Sequence, residues 1–345
     1  MQYDGENTIP KPDYREPIDT ILRKITITKL TRSYPEQVLD IVCLDLGYLP
    51  KRGDLPSWFV DWKVLWEAED GNVWSSRSLR HLSTPTKTRY KACGGSPASV
   101  QISSDELILT CRGYIFDVVH GLSQFDPALH GEEFRSEAAD EERATVSTLE
   151  KEPSILRNVY GSELELFHAI WLSAVHNMWR SGDVGAVASV ARAFQGLFSG
   201  SPRWPIWVDE TLMGNIKEAG EFKIYGRKLK DWATPLQKSL GTIQTITDQN
   251  PKDMDPNELE IWTAIKIGQF GRRMMETSKG LIGTAHPQSQ VGDSIVLLQG
   301  ASVPIILRSC EGGYKVIGEA YVHGIMRGEF WEAQDEAKME NFHLK

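Results

Sequence analysis

The feature that most constrains the fold is a set of four short apolar runs near the C-terminus, separated by three glycine-containing turns. The runs cover residues 281–283, 294–298, 303–308 and 314–318. Short strands at a spacing of about 8–12 residues are typical of small barrels and strongly curled sheets. The sequence therefore predicts a barrel-like, antiparallel sheet that includes C-terminal strands over residues 279–323.

A second β region is predicted upstream, over residues 98–120. Val100 and Ile102 alternate with polar residues, a turn follows at 103–106, and an apolar run returns over 107–119. This pattern predicts a β-hairpin, with a bulge or bend at Gly113 because the returning strand is long. Since two small β regions are unstable alone, we expect the hairpin to join the C-terminal strands in one sheet.

Helical periodicity dominates the sequence between the two β regions. Ser162 is predicted to cap a helix that extends through Met178, and Asp183 to cap a second one. Asp255 and Pro256 are expected to begin a third helix. Residues 202–235 match no clear pattern. The chain is therefore expected to be α+β, with a mainly helical block inserted between the β regions.

The N-terminal part combines two apolar segments with a tryptophan-rich one. A helix is expected from Pro17 to Leu30, fraying at the β-branched run 25–28, and a second amphipathic stretch is expected to end at Gly47. Trp58 and Trp62 indicate a segment anchored against a core.

These patterns divide the chain into segments with different expected roles. The hairpin and the barrel strands are expected to form one discontinuous domain. The predicted segments are an N-terminal helical and tryptophan-anchored part (1–88), the hairpin (89–120), an acidic flexible linker (131–152), a helical insertion (153–278), the C-terminal barrel strands (279–330) and a C-terminal tail (331–345).

Composition and charge exclude several classes of protein. Asp plus Glu outnumber Lys plus Arg by 47 to 38, giving a net charge of −9, which argues against a nucleic-acid partner. Four cysteines without a CxxC pair favour a reducing compartment over a secreted disulfide scaffold. The most apolar stretch, 295–307, is shorter than the roughly 20 residues that a membrane-spanning helix needs. A cytoplasmic protein without a membrane partner is therefore expected.

The sequence offers no established catalytic or metal-binding motif. It contains no glycine-rich phosphate loop, nucleophile elbow or zinc-ligand spacing. His168 and His176 have no second ligand at helical spacing, so both are interpreted as ordinary core or surface residues. Glu319 and His323 would lie about 13 Å apart in an extended strand, and Asp293 is interpreted as a turn residue. The sequence therefore predicts no catalytic, cofactor-binding or metal-binding residue and no cofactor.

Two groups of residues resemble a known family. The first comprises residues 280–287, the Val291-Gly292-Asp293 turn, the strand 303–308 and the closing segment 318–329, which reads GEAYVHGIMRGE. The second is LPSWFVDW at 55–62, with 90–96 and Pro12-Asp13-Tyr14 beside Pro17. Together they are similar to the region C-terminal to the HET domain in fungal heterokaryon-incompatibility proteins. The resemblance extends from about Pro12 to Glu329, and we expect the HET domain itself to be absent.

The resemblance implies a role in non-self recognition leading to cell death after hyphal fusion, a trigger attributed in the family to the HET domain. We therefore predict a non-enzymatic regulatory or protein-interaction role with a protein partner, leaving the oligomeric state open. The alternative is a small-ligand hydrolase or binding protein that uses Glu319, His323 or Asp293 in a pocket beside the barrel. A third interpretation is a non-functional remnant, against which the tryptophan-rich core argues.

Overall fold

The computed structural model describes residues 15–32, 38–43, 55–60, 90–124, 158–177, 184–199, 210–234, 256–269 and 272–345. Several sequence predictions lie outside these residues, namely the acidic linker 131–152, the helix caps Asp183 and Asp255, the helix stop at Gly47, Trp62, and the segment Pro12-Asp13-Tyr14.

The secondary structure mixes helices and strands along the chain. The described helices are α1 (Ile18–Arg32), α2 (Glu163–Ala174), α3 (Val184–Phe198), α4 (Glu210–Ala219), α5 (Leu229–Trp232) and α6 (Pro256–Gln269), with 3₁₀ helices at Val38–Cys43, Trp331–Ala333 and Glu336–Lys338. The strands are β1 (Val100–Ile102), β2 (Leu109–Leu122), β3 (Lys223–Ile224), β4 (Arg227–Lys228), β5 (Arg273–Thr277), β6 (Ile282–Ala285), β7 (Ser294–Leu298), β8 (Ile305–Cys310), β9 (Gly313–Glu319), β10 (Tyr321–Val322) and β11 (Glu340–Leu344).

The predicted α+β class with a barrel-like sheet is confirmed. The chain divides into two compact units. The first unit comprises residues 1–116, 293–320 and 324–345, and the second comprises 117–292 and 321–323. Strand β2 contributes its first part to the first unit and its last part to the second.

The first unit contains a ring of strands. Its part of β2 pairs antiparallel with β11, and β11 lies parallel to β9. Strands β9, β8 and β7 follow as an antiparallel meander, and β7 pairs with β2 to close the ring. The buried runs Ile295–Leu298 and Ile305–Leu307 supply much of its core. The hairpin β1–β2 thus joins the C-terminal strands, as the sequence predicted.

Gly113 has a different role from the predicted bulge. Strand β2 runs through Gly113 without a break, and the irregularity in its pairing lies between Val119 and Gly121. A Cβ added at Gly113 would come within 2.2 Å of the Leu297 carbonyl oxygen. Glycine is therefore needed because the backbone of β7 passes directly over this position.

The N-terminal helix is longer than predicted. Helix α1 continues through the β-branched run 25–28 and ends at Arg32. The hydroxyl of Thr26 donates to the Leu22 carbonyl, and that of Thr31 donates to the Ile27 carbonyl, so both polar groups are satisfied within the helix. The expected fraying is therefore wrong. The second amphipathic stretch forms a 3₁₀ helix at Val38–Cys43.

The second unit packs helices against a small sheet. Helices α2, α3 and α6 pack against one another, and α2 also packs on β6. The predicted cap is confirmed, because the Ser162 hydroxyl accepts a hydrogen bond from the Glu165 backbone N–H at 3.1 Å. Helix α2 ends at Ala174, four residues before the predicted end.

Five strands were missed in the sequence, and two of them, β3 and β4, lie in the stretch 202–235 that matched no pattern. Residues 273–277, which were assigned to the helical insertion, form β5 between β2 and β6. All five residues are buried, so the polar–apolar alternation of a half-exposed strand is missing. Residues 340–344 of the predicted tail form β11, and 321–322 form the two-residue β10. Among the described helices, none is long and apolar enough to cross a membrane.

Candidate functional site

A set of tyrosine, histidine and threonine side chains that contact one another lies in the second unit. We call it the Tyr–His cluster, and it comprises Tyr160, His176, Thr284, Tyr321 and His323. Its members come from the segment before α2, the residues after α2, and the strands β6 and β10. They are therefore brought together by folding rather than by sequence proximity.

The end of helix α2 aims His176 into the protein interior. After Ala174 the backbone turns, and His176 and Asn177 adopt φ angles of 50° and 49°. The Asn177 N–H donates to the Leu172 carbonyl at 2.6 Å, which closes the turn. Left-handed backbone is uncommon for residues other than glycine, and Asn and His tolerate it better than most. The turn leaves His176 only 1% exposed.

His176 contacts residues of β6 and β10. Its Nε2 atom lies 2.7 Å from the Thr284 hydroxyl, and its ring centroid lies 5.4 Å from that of Tyr321. Thr284 and Tyr321 face each other in the β6–β10 pairing. Both contacts of His176 thus fall on one pair of opposed residues. The ring is a buried core histidine, where the sequence had left a core and a surface position open.

Tyr160 also contacts the β6–β10 strand pair, through hydrogen bonds to the backbone. Its hydroxyl accepts a hydrogen bond from the Ile282 N–H at 2.9 Å and donates one to the His323 carbonyl at 3.4 Å. The ring centroid of Tyr160 lies 5.7 Å from that of His323. Burial raises the pKa of Tyr160, so its hydroxyl stays protonated at neutral pH.

The histidine singled out in the sequence is part of this cluster. His323 Nδ1 lies 3.4 Å from the Tyr321 hydroxyl, and its backbone N–H donates to the Ile282 carbonyl at 2.9 Å. Strands β6 and β10 approach closely, because a Cβ at Gly283 would come within 2.0 Å of the Tyr321 carbonyl oxygen. Close backbone approach thus explains the glycine in the GLIG run of the resemblance.

One carboxyl group of the second unit is buried beside these tyrosines. Glu276 on β5 is 0% exposed, and neither of its carboxyl oxygens has a hydrogen-bond partner among the residues that the structure describes. Burial is the main cause of the raised pKa values of Tyr160 and Tyr225, and the charge of Glu276 adds a smaller contribution. No sequence pattern indicated this group, since a glutamate in an unrecognised strand resembles a surface residue.

The two acidic residues of the enzymatic alternative lie in the first unit. Asp293 forms a two-point ion pair with Arg308, with its oxygens 2.8 and 3.0 Å from Nε and Nη2. Such a fork-shaped contact between the start of β7 and the second half of β8 stabilises the meander. Glu319 is buried at the end of β9, opposite Ile305. Asp293 is therefore engaged in a structural contact.

The LPSW segment of the resemblance anchors strands of the first unit. The Ser57 N–H donates to the Lys345 carbonyl at 2.8 Å, and the Ser57 hydroxyl both donates to that oxygen and accepts from the Val316 N–H. Trp58 is fully buried and donates from its indole nitrogen to the Leu107 carbonyl at 3.2 Å. Both motif positions therefore serve the fold of this unit.

The cysteines lie outside the Tyr–His cluster. Cys93 and Cys111 are fully buried in the first unit, and burial raises the pKa of both thiols. No disulfide links the four cysteines. Within the described ranges, no group of three or more His, Cys, Asp or Glu residues is arranged to hold a metal ion.

Comparison with known proteins points to one kind of relative. Residues 251–345 match the family described as the Het-6 beta-barrel domain. Heterokaryon incompatibility protein 6, OR allele, of Neurospora crassa is 36% identical over 78 residues. The matched segment makes up 21% of this chain and only 11% of that relative. No solved structure matches the chain.

Proposed function

We propose that this chain, whose C-terminal region is that of a heterokaryon incompatibility family protein, acts in fungal non-self recognition through contacts with a protein partner. The observation that carries the proposal is the match of residues 251–345 to the Het-6 beta-barrel domain. We further propose that the role is regulatory rather than enzymatic and is performed in the cytoplasm, where the contents of fused hyphae mix.

The use of polar groups supports a non-enzymatic role. Histidine and carboxylate are the residues most often used as general acids and bases, and they must reach a substrate. His176 is bound to Thr284, and Asp293 is bound to Arg308. Both side chains stabilise strands. We therefore propose that the protein acts through contacts of its surface with a partner.

The proposal is tested by genetics in the source fungus. Strains that carry or lack the gene are fused pairwise, and the growth and dye-measured viability of the fused cells are scored. We expect deletion to relieve incompatibility in at least one strain pairing and the reintroduced wild-type gene to restore it. If deletion changes no pairing, the proposed role in non-self recognition is wrong.

Two variants make the genetic test specific to the folded protein. Gly113→Val forces a side chain into the Leu297 carbonyl and is expected to abolish restoration, because the strand ring cannot close. Glu165→Gln changes an exposed residue on α2 and is expected to restore fully.

A third set of variants tests the non-enzymatic role. His323→Ala, Asp293→Asn and Glu319→Gln remove the groups that the enzymatic alternative would use. We expect each variant that accumulates to the wild-type level to restore incompatibility. Loss of function in a variant that accumulates normally would favour the enzymatic alternative instead.

A further inference from the structure

Glu276 is a buried ionisable group to which no described residue of the second unit donates a hydrogen bond. Its neighbours in the strand pairings are Gly121 on β2 and Ile282 on β6. A buried carboxylate without donors is strongly disfavoured relative to the neutral acid. Burial accordingly raises the pKa of Glu276 from its ordinary value of 4.5 to about 8.

The two tyrosine hydroxyls that interact electrostatically with Glu276 already donate hydrogen bonds to backbone carbonyls. Tyr225 donates to the Gly280 carbonyl at 2.8 Å, and Tyr160 donates to the His323 carbonyl. A Cβ at Gly280 would come within 2.5 Å of the Tyr225 hydroxyl, which shows how tightly this turn is held. If these hydroxyls turned to donate to an ionised Glu276, the carbonyls of Gly280 and His323 would lose their hydrogen bonds.

Other titratable groups lie on the elements packed around β5. They are Asp117 and His120 on β2, His168 on α2, His176 after it, and Lys279 in the turn before β6, besides Tyr160 and Tyr225. The Asp117 carboxylate accepts the N–H groups of Val118 and Lys279. None of these groups is the cause of the raised pKa of Glu276, which is due to burial.

We propose that Glu276 is a proton-controlled latch of the second unit, and that loss of its proton favours local opening of strands β5 and β6. The neutral acid is compatible with the closed sheet, whereas the carboxylate needs water or donors that only an opened sheet supplies. The latch does not depend on the role in non-self recognition.

The direction of the pH effect follows from linkage. In the opened state the pKa of Glu276 returns to its ordinary value of 4.5, below the value of about 8 in the closed state. The opened state therefore binds fewer protons between these limits, and its population relative to the closed state rises about tenfold per pH unit. Above pH 8 both states are ionised, so the rise levels off.

Hydrogen-exchange mass spectrometry on the full chain tests the latch. The amide exchange rate of peptides covering β5 and β6 is measured from about pH 5.5 to 9. Dividing this rate by the intrinsic exchange rate at each pH gives the opening constant. We expect this constant to rise about tenfold per pH unit up to about pH 8 in the wild type. A flat profile in the wild type would overturn the proposal.

Matched variants assign the pH effect to Glu276. Glu276→Gln keeps the size of the side chain but cannot ionise, so we expect a flat profile. Glu165→Gln removes an exposed carboxyl from α2 and is expected to retain the wild-type slope. A wild-type slope in Glu276→Gln would overturn the proposal. Should Glu276→Gln fail to fold, Glu276→Leu replaces it, and the wild-type profile alone remains decisive.

Discussion

Trp331 lies directly against Gly94, so that a Cβ added to Gly94 would come within 2.8 Å of Trp331 Cδ1. The Trp331 indole also donates to the Ser96 hydroxyl at 3.1 Å and meets the Tyr114 ring edge-on at 5.1 Å. Gly94 belongs to the GGS turn that the family resemblance singles out. The turn therefore forms the surface against which Trp331, which follows the GIMRGE segment, packs.

Replacing Gly94 with alanine should destabilise the protein for two reasons. Gly94 has a φ of +64°, which is unfavourable for alanine, and the new methyl group would overlap Trp331. We expect the free energy of unfolding to fall by about 2–4 kcal/mol, measured by urea denaturation with tryptophan fluorescence.

The neighbouring glycine provides the control for this substitution. Gly95 has a similar φ of +76°, but nothing lies within 4 Å of an added Cβ. Gly95→Ala should therefore carry only the backbone cost of about 1–2 kcal/mol. Equal losses in the two variants would contradict the contact between Gly94 and Trp331.

The ion pair between Asp293 and Arg308 should contribute more than a surface pair. Asp293 is 3% exposed, so Arg308→Ala would leave a buried carboxylate without its two donors. We expect a loss of about 1–3 kcal/mol in the free energy of unfolding. Lys24→Ala breaks the exposed pair with Glu16 and should cost less than about 1 kcal/mol. A loss in Arg308→Ala no larger than in Lys24→Ala would contradict this assignment.

Thiol labelling should distinguish the four cysteines of the first unit. Cys43, Cys93 and Cys111 are buried, and burial raises the pKa of Cys93 and Cys111, which keeps their reactive thiolate forms scarce. Cys310 is half-buried at the end of β8. We expect iodoacetamide to modify Cys310 first in the native protein and the others only in urea, as followed by peptide mass spectrometry. Early modification of Cys111 would contradict the described ring of strands.

Local patterns in the sequence predicted much of the strand ring but little of the cluster. The run 294–298 forms β7 with the predicted bounds, because glycine turns mark its two ends. Strand β11 was missed, since its two buried residues, Phe342 and Leu344, give only two alternating apolar positions, which are too few to predict a strand from pattern alone. Backbone pairing between distant segments leaves no periodic signal of its own.

The Tyr–His cluster depends on contacts between residues that are far apart in sequence. His176 and Thr284 are 108 positions apart, and Tyr160 and Ile282 are 122 apart. Single-residue chemistry placed His323 in the enzymatic alternative and interpreted His176 as an ordinary core or surface residue, but the strand pairing that unites them could not be deduced. Glu276 was missed because its unusual property, burial without a partner, exists only in the folded chain.

The hydrogen bond between His176 and Thr284 should be measurable as a contribution to stability. Thr284→Val keeps the shape of the side chain but removes the hydroxyl that lies 2.7 Å from His176 Nε2. Since Thr284 is 0% exposed, water does not replace this hydroxyl without a structural change. We expect the free energy of unfolding to fall by about 1–3 kcal/mol in urea denaturation. Thr284→Ser retains the hydroxyl and loses one methyl group, so it should cost about 1 kcal/mol. If Thr284→Val is no less stable than Thr284→Ser, the hydroxyl contributes nothing beyond packing, and the cluster is held by its rings and backbone alone.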